Sequence, residues 1–268
     1  MTTPPPPAAR ASLQDGVRFA FGTLTVVPVR VTRWDREAAR AGMVCAPLAG
    51  AVVGLCAAAL GGLLLLLGSG PLLAAVASTA VPAVLTRALH LDGLADTADG
   101  LGSARPAADA LDIMKRSDIG PFGVVTLLLT LLAQVSVLAQ LYADGWAYGA
   151  LAALVPAVAA RLALTLASRT GVPAARPEGL GATVAGVVPV RTAIATGAVT
   201  TVLCAAAGLA IGPYGAVHHA VAVLGALGAA QLLLAHCVRR FGGVTGDVFG
   251  ALAETAATAA LVVLALGR

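Results

Sequence analysis

Six of the 13 acidic residues of this chain fall between Asp92 and Asp118, and the densest run reads HLDGLADTADG at residues 90–100. On a helix, Asp92, Asp96 and Asp99 share one face, because successive residues turn by about 100°. Carboxylates that crowd together repel unless a cation lies between them, and an oxygen-only donor set suits Mg²⁺ or Mn²⁺. We therefore predict a metal-dependent phosphoryl- or nucleotidyl-transfer site here; a solvated acidic loop is the alternative.

A basic stretch follows the acidic run. It starts at Arg105 and Pro106, and proline is well placed in a first helical turn. Apolar residues recur after it at helical spacing, which predicts a short amphipathic helix. Arg105, Lys115 and Arg116 are candidates for binding substrate phosphate. Anchoring to a membrane surface is the alternative explanation for them.

Two further regions could contribute polar groups. Residues 239–247 read RRFGGVTGD and run into an apolar segment. The exposed amides around Gly243 and Thr245 and the start of the following helix favour an anion. Asp247 and Glu254 are seven residues apart, so one helical face could carry both toward the acidic cluster; capping is the alternative for Asp247. Arg161 lies inside an apolar segment and either snorkels or reaches back to a polyphosphate at the acidic site.

The composition defines the elements that must position these groups. Of the 268 residues, 59% are apolar and only 11% are charged, and the mean hydropathy is +0.91. A soluble domain carries about a quarter charged residues, so a soluble protein and a disordered chain are both excluded. Long unbroken Ala, Leu, Val and Gly runs exclude a porin-like barrel. The fold class predicted is all-α, a polytopic integral membrane helical bundle.

Seven segments reach the length of about 20 apolar residues that crosses a bilayer. They cover residues 43–67, 71–89, 122–141, 146–166, 190–211, 214–237 and 249–267. Residues 13–29 are shorter and interrupted by Arg18, which predicts an interfacial or re-entrant helix. The Pro-rich residues 1–12 are predicted to be disordered, and residues 13–268 to form a single membrane-embedded catalytic domain.

Basic residues are distributed unequally between the connections. The short connections at residues 68–70, 142–145 and 212–213 contain no Lys or Arg, whereas the other connections are rich in them. Positive residues stay on the cytoplasmic side, so the N-terminus, the polar loops and the active site are predicted to face the cytoplasm from a multi-pass plasma (inner) membrane location. This asymmetry accounts for the net charge of +4 without a nucleic-acid partner.

Several motifs together resemble a known family. The motifs are FAFGTLTVVPV at residues 19–29, HLDGLADTADG at 90–100, LDIMKRSDIGPFG at 111–123, RPEGLG at 176–181 and GGVTGDVFGALAE at 242–254. They resemble the adenosylcobinamide-GDP ribazoletransferase (cobalamin synthase) family, in the same order and over nearly the whole chain. The chain departs from the family pattern at one place. The pattern expected has an acidic residue before the serine and an arginine after it, whereas this chain has Arg116 before Ser117 and Asp118 after it.

The resemblance implies the last step of cobalamin assembly. An alcohol of α-ribazole, or of its 5′-phosphate, would attack the activated phosphate of adenosylcobinamide-GDP and release GMP, with Mg²⁺ required. Asp92, Asp96 and Asp99 would hold the metal, with Asp247 as a further ligand or orienting group. Arg161 and Arg176 would bind phosphate. The partners expected are these two substrates and the lipid bilayer, and a homo-oligomer is left open.

Two other functions compete with this one. Residues 96–105 are similar to the DxxDGxxAR-type metal motif of CDP-alcohol phosphotransferases, but they contain one residue too many. An ion-coupled membrane transporter is the second alternative. Transporters place ionisable residues near the middle of the membrane on broken helices, whereas the acidic residues here gather at one predicted face.

Overall fold

A computed structural model describes residues 10–267 of the chain, so most of the segment predicted to be disordered (residues 1–9) and Arg268 lie outside the described residues. The described part folds into eleven α-helices and one 3-10 turn and contains no strand. The helices are α1 (Leu13–Leu24), α2 (Arg36–Leu66), α3 (Pro71–Leu85), α4 (Leu89–Gly102), α5 (Ala107–Ile113), α6 (Pro121–Asp144), α7 (Trp146–Ala167), α8 (Gly179–Val184), α9 (Val190–Gly208), α10 (Pro213–Phe241) and α11 (Gly246–Ala265). The all-α prediction is confirmed.

Six helices are long and apolar enough to cross a membrane: α2, α6, α7, α9 with the 3-10 turn Leu209–Ile211 that extends it, α10 and α11. The bent pair of α3 and α4 makes a seventh if it counts as one broken span. Large apolar side chains on the outside, such as Leu129 and Leu132 of α6, are more than half exposed. Alanine is the commonest residue in the interior of the bundle, and glycine lies at several contacts between helices, which lets the helices approach closely. A polytopic membrane bundle with about seven spans is therefore confirmed.

The second predicted span, residues 71–89, is wrong at its end. Helix α3 stops at Leu85, and the chain turns by 87° into α4. Arg87 and Ala88 adopt left-handed backbone angles, with φ of 53° and 56°, which no continuous helix allows. Thr86 and Arg87 interrupt the apolar run at this break, and the predicted span wrongly continued past them to residue 89.

The N-terminal segment forms α1, which is shorter than the predicted helix of residues 13–29. A capping box between Ser12 and Asp15 starts it, and Thr25 ends it in an extended conformation. Phe19 is fully buried against α2, where a Cβ at Gly42 would overlap its ring. The segment after α1 is tied to the end of α3, because the amide of Val26 donates a 2.7 Å hydrogen bond to the carbonyl of Leu85.

One end of the bundle gathers the termini of most helices. Arg36 at the start of α2 donates a hydrogen bond to the carbonyl of Ala185, just after α8. The amide of Val188, before α9, donates to the carbonyl of Ser168, just after α7. The amide of Ala175 donates to the carbonyl of Val244, between α10 and α11. This end, called the polar end below, therefore consists of the basic connections identified in the sequence.

Candidate active site

Helix α4 crosses the start of α11 at a contact that only glycine permits. A Cβ on Gly93 would lie 2.6 Å from the carbonyl oxygen of Asp247, and one on Gly250 would lie 3.0 Å from the carbonyl oxygen of His90. The two backbones are thus in van der Waals contact. This crossing brings the acidic helix next to Asp247, although more than 140 residues separate them in the sequence.

The predicted acidic helix exists, and its carboxylates face the polar end to different degrees. Asp92 is exposed, whereas Asp96 and Asp247 are half-buried. The charge of Asp96 interacts with those of Asp92, Asp99 and Asp247, and that of Asp247 also interacts with Asp92. Among the described residues, none donates a hydrogen bond to the carboxylate of Asp92 or Asp96. These two groups are therefore free to bind a cation or to accept a proton.

Asp99 is engaged differently from its neighbours on α4. Its side chain is buried, and it accepts hydrogen bonds from the backbone amides of Gly120 at 2.7 Å and Gly123 at 3.0 Å. These amides belong to the first turn of α6, so Asp99 caps that helix from a distance in sequence. A Cβ on Gly123 would lie 2.6 Å from a carboxylate oxygen of Asp99, which explains why glycine occupies this position.

Arg176 connects Asp247 to the rest of the polar end. Its guanidinium lies 3.9 Å from the Asp247 carboxylate and donates a hydrogen bond to the carbonyl of Leu111 in α5. Its Nε is buried and has no hydrogen-bond partner among the described residues. Thr245 caps α11 by accepting a hydrogen bond from the amide of Val248, and its hydroxyl donates to Asp247 at 3.2 Å. Arg176 and Thr245 together fix the position of the Asp247 carboxylate.

The glycine-rich loops before α8 and before α11 pack against each other, backbone to backbone. The amide of Val244 donates a 2.9 Å hydrogen bond to the carbonyl of Pro173. A Cβ on Gly243 would lie 2.5 Å from the carbonyl carbon of Ala174, and one on Gly181 would lie 2.7 Å from that of Thr245. The glycines therefore allow these loops to approach each other closely, and binding of phosphate by Gly243 and Thr245 stays a prediction.

The other predicted phosphate-binding groups lie at the same end. Arg105, Lys115 and Arg116 are exposed, and none forms an ion pair with an acidic group of the described residues. They flank α5, whose position confirms the short helix predicted after Pro106. The guanidinium of Arg240, at the end of α10, donates to the carbonyl of Arg105 and so holds this loop.

Arg161 does not snorkel to the surface. Its side chain is only 3% exposed, and it contacts Nδ1 of His90 at 3.3 Å. Its charge also interacts with that of Glu254. Glu254 accepts a 3.0 Å hydrogen bond from Gln134 of α6, so it faces this interior network and not Asp92 or Asp96. Gln134 was not among the residues predicted from the sequence, although a polar amide inside an apolar span is a visible signal.

This interior network borders a small cavity of about 50 Å³. Thr79, Gln134, Arg161 and Glu254 line it, and the Arg161 Nε and the Thr79 hydroxyl have no hydrogen-bond partner among the described residues. A cavity of this size holds a few water molecules, which would satisfy such groups. The protein therefore has two polar centres, the acidic cluster at the polar end and this buried network behind it.

The donor groups of the acidic cluster can be compared with those that a magnesium ion needs. Among residues 10–267, no group of three or more His, Cys, Asp and Glu side chains is arranged so that it could hold a metal ion by itself. Asp92, Asp96 and Asp247 nevertheless offer nearby carboxylate oxygens, two of them without any hydrogen-bond donor. Magnesium is held by one or two carboxylates and completes its coordination with water and substrate phosphate. The residues fit such an open site and do not fit a cage of four carboxylates.

Comparison with known proteins agrees with the resemblance in the sequence motifs. Residues 16–265 match the family model described as cobalamin-5-phosphate synthase. The chain belongs to the cobalamin-5-phosphate synthase family. The matched range begins within α1 and ends with α11, so the helices from α2 onward lie wholly within the family's sequence pattern.

Three curated relatives align with most of the chain and with most of their own length. A protein of Frankia casuarinae named adenosylcobinamide-GDP ribazoletransferase is 41% identical over 93% of this chain and 94% of its own. Proteins of the same name from a Nocardioides species and from Bradyrhizobium diazoefficiens are each 39% identical over 93% of the chain, covering 98% and 92% of their own lengths. No solved structure matches the chain.

Proposed function

We propose that this protein catalyses the final assembly step of cobalamin, as its relatives' name indicates. The adenosylcobinamide phosphate moiety of adenosylcobinamide-GDP is transferred to α-ribazole or α-ribazole 5′-phosphate. The hydroxyl oxygen of the acceptor forms a bond to phosphorus, the bond from that phosphorus to the GMP oxygen breaks, and GMP leaves. The family match over residues 16–265 carries this proposal.

In this proposal the residues of the acidic cluster have different roles. Asp92, Asp96 and Asp247 would hold Mg²⁺, which when bound would neutralise the charge of the diphosphate. One of these three carboxylates accepts the proton of the attacking hydroxyl. Asp99 positions the start of α6, because its oxygens already accept two amide hydrogen bonds. Arg176 orients Asp247 through the 3.9 Å contact between them.

The basic groups around the cluster bind the substrate in this proposal. Arg105, Lys115 and Arg116 are exposed at the polar end, where they can reach the diphosphate or an acceptor phosphate. The start of α11, with Gly243 and Thr245 before it, offers backbone amides to an anion. Arg161 is assigned a structural role, since its guanidinium is enclosed beside His90.

We place the protein in the plasma (inner) membrane with the polar end in the cytoplasm. The support is the positive-inside rule, because the connections at the opposite end contain no Lys or Arg. Adenosylcobinamide-GDP and α-ribazole would therefore arrive from the cytoplasm.

The proposal is tested on purified protein in liposomes. Adenosylcobinamide-GDP, α-ribazole and Mg²⁺ are supplied, and GMP and corrinoid product are followed by chromatography, with and without EDTA. Asp92→Asn and Asp96→Asn are each expected to lower turnover about 100-fold or more, equivalent to about 3 kcal/mol of transition-state stabilisation. Asp109→Asn is the matched control, because Asp109 is an exposed acid on neighbouring α5 and lies outside the cluster.

Two results would overturn the assignment. Turnover that persists in EDTA would show that the reaction needs no metal ion. Turnover unaffected by both cluster variants would show that the acidic cluster is not the active site. No product from the folded protein, together with transfer of labelled head group from a CDP-alcohol, would favour the phospholipid reaction instead.

A further inference from the structure

A long apolar groove lies between α2, α7 and α9. Its volume is about 540 Å³, and it is lined almost entirely by apolar side chains, among them Leu48, Leu55, Val158 and Leu203. All three helices are membrane spans by length and composition. The groove therefore opens into the hydrocarbon region, where the surrounding medium is lipid.

The groove exists because α2 packs tightly on α7 but not on α9. A Cβ on Gly50 would lie 2.5 Å from the carbonyl oxygen of Ala157, and one on Gly54 would lie 2.8 Å from the Cα of Leu154. These glycines seat α2 on α7, while the neighbouring face of α2, which carries Ala51, borders the gap to α9. The outer wall of this gap is not covered by any other helix of the described chain.

The length of the groove matches one leaflet of a bilayer. It runs along α2 from Val44 to Leu55. Eleven residues of helix rise by about 16 Å, and half of a hydrocarbon core of about 30 Å is about 15 Å. One lipid tail from the leaflet on the polar-end side would therefore fill the groove along its length.

A second cleft continues the groove at the polar end. It has a volume of about 430 Å³ and shares Val44 with the groove. Arg10, Arg40 and Thr192 line it, as does Glu37, whose carboxylate lies 3.8 Å from the Arg40 guanidinium. Two cations and one anion leave the cleft with a net positive charge. A hydroxyl and two guanidinium groups at the end of an apolar groove are complementary to a phosphodiester attached to acyl chains.

The helix directions add to this charge. Helices α2 and α9 both begin at the polar end, and their first turns carry Arg36 and Arg191. The positive ends of both helix dipoles therefore point toward the cleft. Glu37 offsets one of the cleft's two cations, and the remaining positive charge together with the helix dipoles favours an anionic head group over a zwitterionic one.

We propose that this groove and cleft form a binding site for one anionic phospholipid of the leaflet on the polar-end side. An acyl chain lies between α2 and α9 on the floor that α7 provides, and the phosphate lies between Arg10, Arg40 and Thr192. The lipid fills the gap between α2 and α9 and so fixes the spacing of two helices that begin beside the loops of the active site.

Native mass spectrometry of the full chain in detergent tests the site. Phosphatidylglycerol and phosphatidylcholine with identical dioleoyl chains are titrated against the protein. One molecule of phosphatidylglycerol is expected to bind at least about fivefold more tightly than phosphatidylcholine, as one extra cation contact provides. Arg40→Gln is expected to remove about that factor, whereas Arg239→Gln, at the exposed end of α10, is expected to leave binding unchanged.

Two variants fill the groove from opposite walls. Thr196→Phe on α9 and Ala51→Phe on α2 are each expected to reduce phosphatidylglycerol binding at least tenfold. Val202→Phe is the matched control, because Val202 is 66% exposed on α9 but does not line the groove. Thermal unfolding of each variant confirms that it folds, and Arg40→Gln tests the head-group cleft without touching the apolar packing.

Several outcomes would overturn the proposal. Equal binding of the two lipids would show that the site does not select an anionic head group. Full binding by both groove-filling variants would show that the lipid does not lie in the groove. A protein dimer that Thr196→Phe dissociates would assign the groove to a second copy of the chain. Displacement of phosphatidylglycerol by adenosylcobinamide-GDP would assign it to the corrinoid substrate.

Discussion

The carboxylate of Asp99 on α4 accepts a 2.7 Å hydrogen bond from the backbone amide of Gly120 at the start of α6. A residue whose spacing places it in a metal cluster thus serves as the cap of another helix. Asp92 and Asp96, on the same helix, have no such partner among the described residues. The three aspartates are therefore expected to differ in what their loss does.

Replacement of Asp99 is expected to act on stability first. Asp99→Ala leaves the half-buried amide of Gly120 and the buried amide of Gly123 without an acceptor, at a cost of about 2 kcal/mol. Asp99→Asn keeps one acceptor oxygen and is expected to recover part of this loss. The midpoint of thermal unfolding in detergent measures both, beside Asp96→Asn, which is expected to unfold like the wild type. Equal stability of Asp99→Ala and wild type would show that the cap is not needed.

The crossing of α4 and α11 is expected to tolerate no side chain at Gly93. In Gly93→Ala the new Cβ would meet the backbone of Asp247 at 2.6 Å, so the helices must move apart and the cluster must open. We expect both the unfolding midpoint and the turnover to fall. Gly62→Ala is the control, since a Cβ there meets nothing within 4 Å. That variant is expected to be neutral or slightly stabilising, because alanine favours a helix.

Arg176 is expected to influence Asp247 through position as well as charge. Arg176→Lys keeps the charge but loses the planar group that contacts both Asp247 and the Leu111 carbonyl. We expect kcat to fall about tenfold or more, in the range of groups that orient metal ligands. The apparent Mg²⁺ requirement is expected to rise in parallel, and a magnesium titration of turnover measures it. An unchanged magnesium requirement would argue that Arg176 acts on substrate alone.

Arg161 is expected to behave as part of the interior. Arg161→Gln removes the buried cation whose charge interacts with that of half-buried Glu254, and the expected loss of stability is below the about 3 kcal/mol of a fully buried ion pair that loses one partner. The KM for adenosylcobinamide-GDP is expected to stay within about twofold of the wild type for the protein that folds. Arg105→Gln provides the contrast, with stability kept and KM raised. A raised KM in Arg161→Gln at wild-type stability would indicate that Arg161 binds a substrate phosphate.

The start of α2 is expected to respond to acid. Asp35 caps this helix through the amides of Glu37 and Ala38, and its hydrogen bond with Arg33 holds the pKa of its carboxyl below the ordinary value of 3.8. A lowered pKa stabilises the fold above the ordinary pKa, and this stability is lost as pH falls through the lowered value. Wild type is therefore expected to unfold at a higher temperature than Asp35→Asn at pH 7, and the difference is expected to shrink toward pH 3. A difference independent of pH would contradict the ionic contribution.

The sequence predicted much of this architecture because hydropathy and spacing are local signals. The span positions, the acidic helix of Asp92 and Asp96 and the helix after Pro106 all follow from residues within a few turns of each other. The 87° bend at Arg87 and Ala88 was not predicted, because Thr86 and Arg87 interrupt the apolar run without indicating the direction that the chain takes next. The roles of Asp99 and Arg161 depend on partners 21 and 71 residues away, Gly120 and His90, so only the packed structure reveals them.

The glycine contact between α4 and α11 also has a consequence for how the protein is made. The ribosome delivers α4 to the membrane long before α11. Until α11 has been synthesised, Asp247 is absent from the neighbourhood of Asp92 and Asp96. The hydrogen bond between the Pro173 carbonyl and the Val244 amide likewise forms only after α9 and α10 have been inserted. The reaction centre therefore forms in one late event of biogenesis, and shorter nascent chains contain the acidic helix without its counterpart.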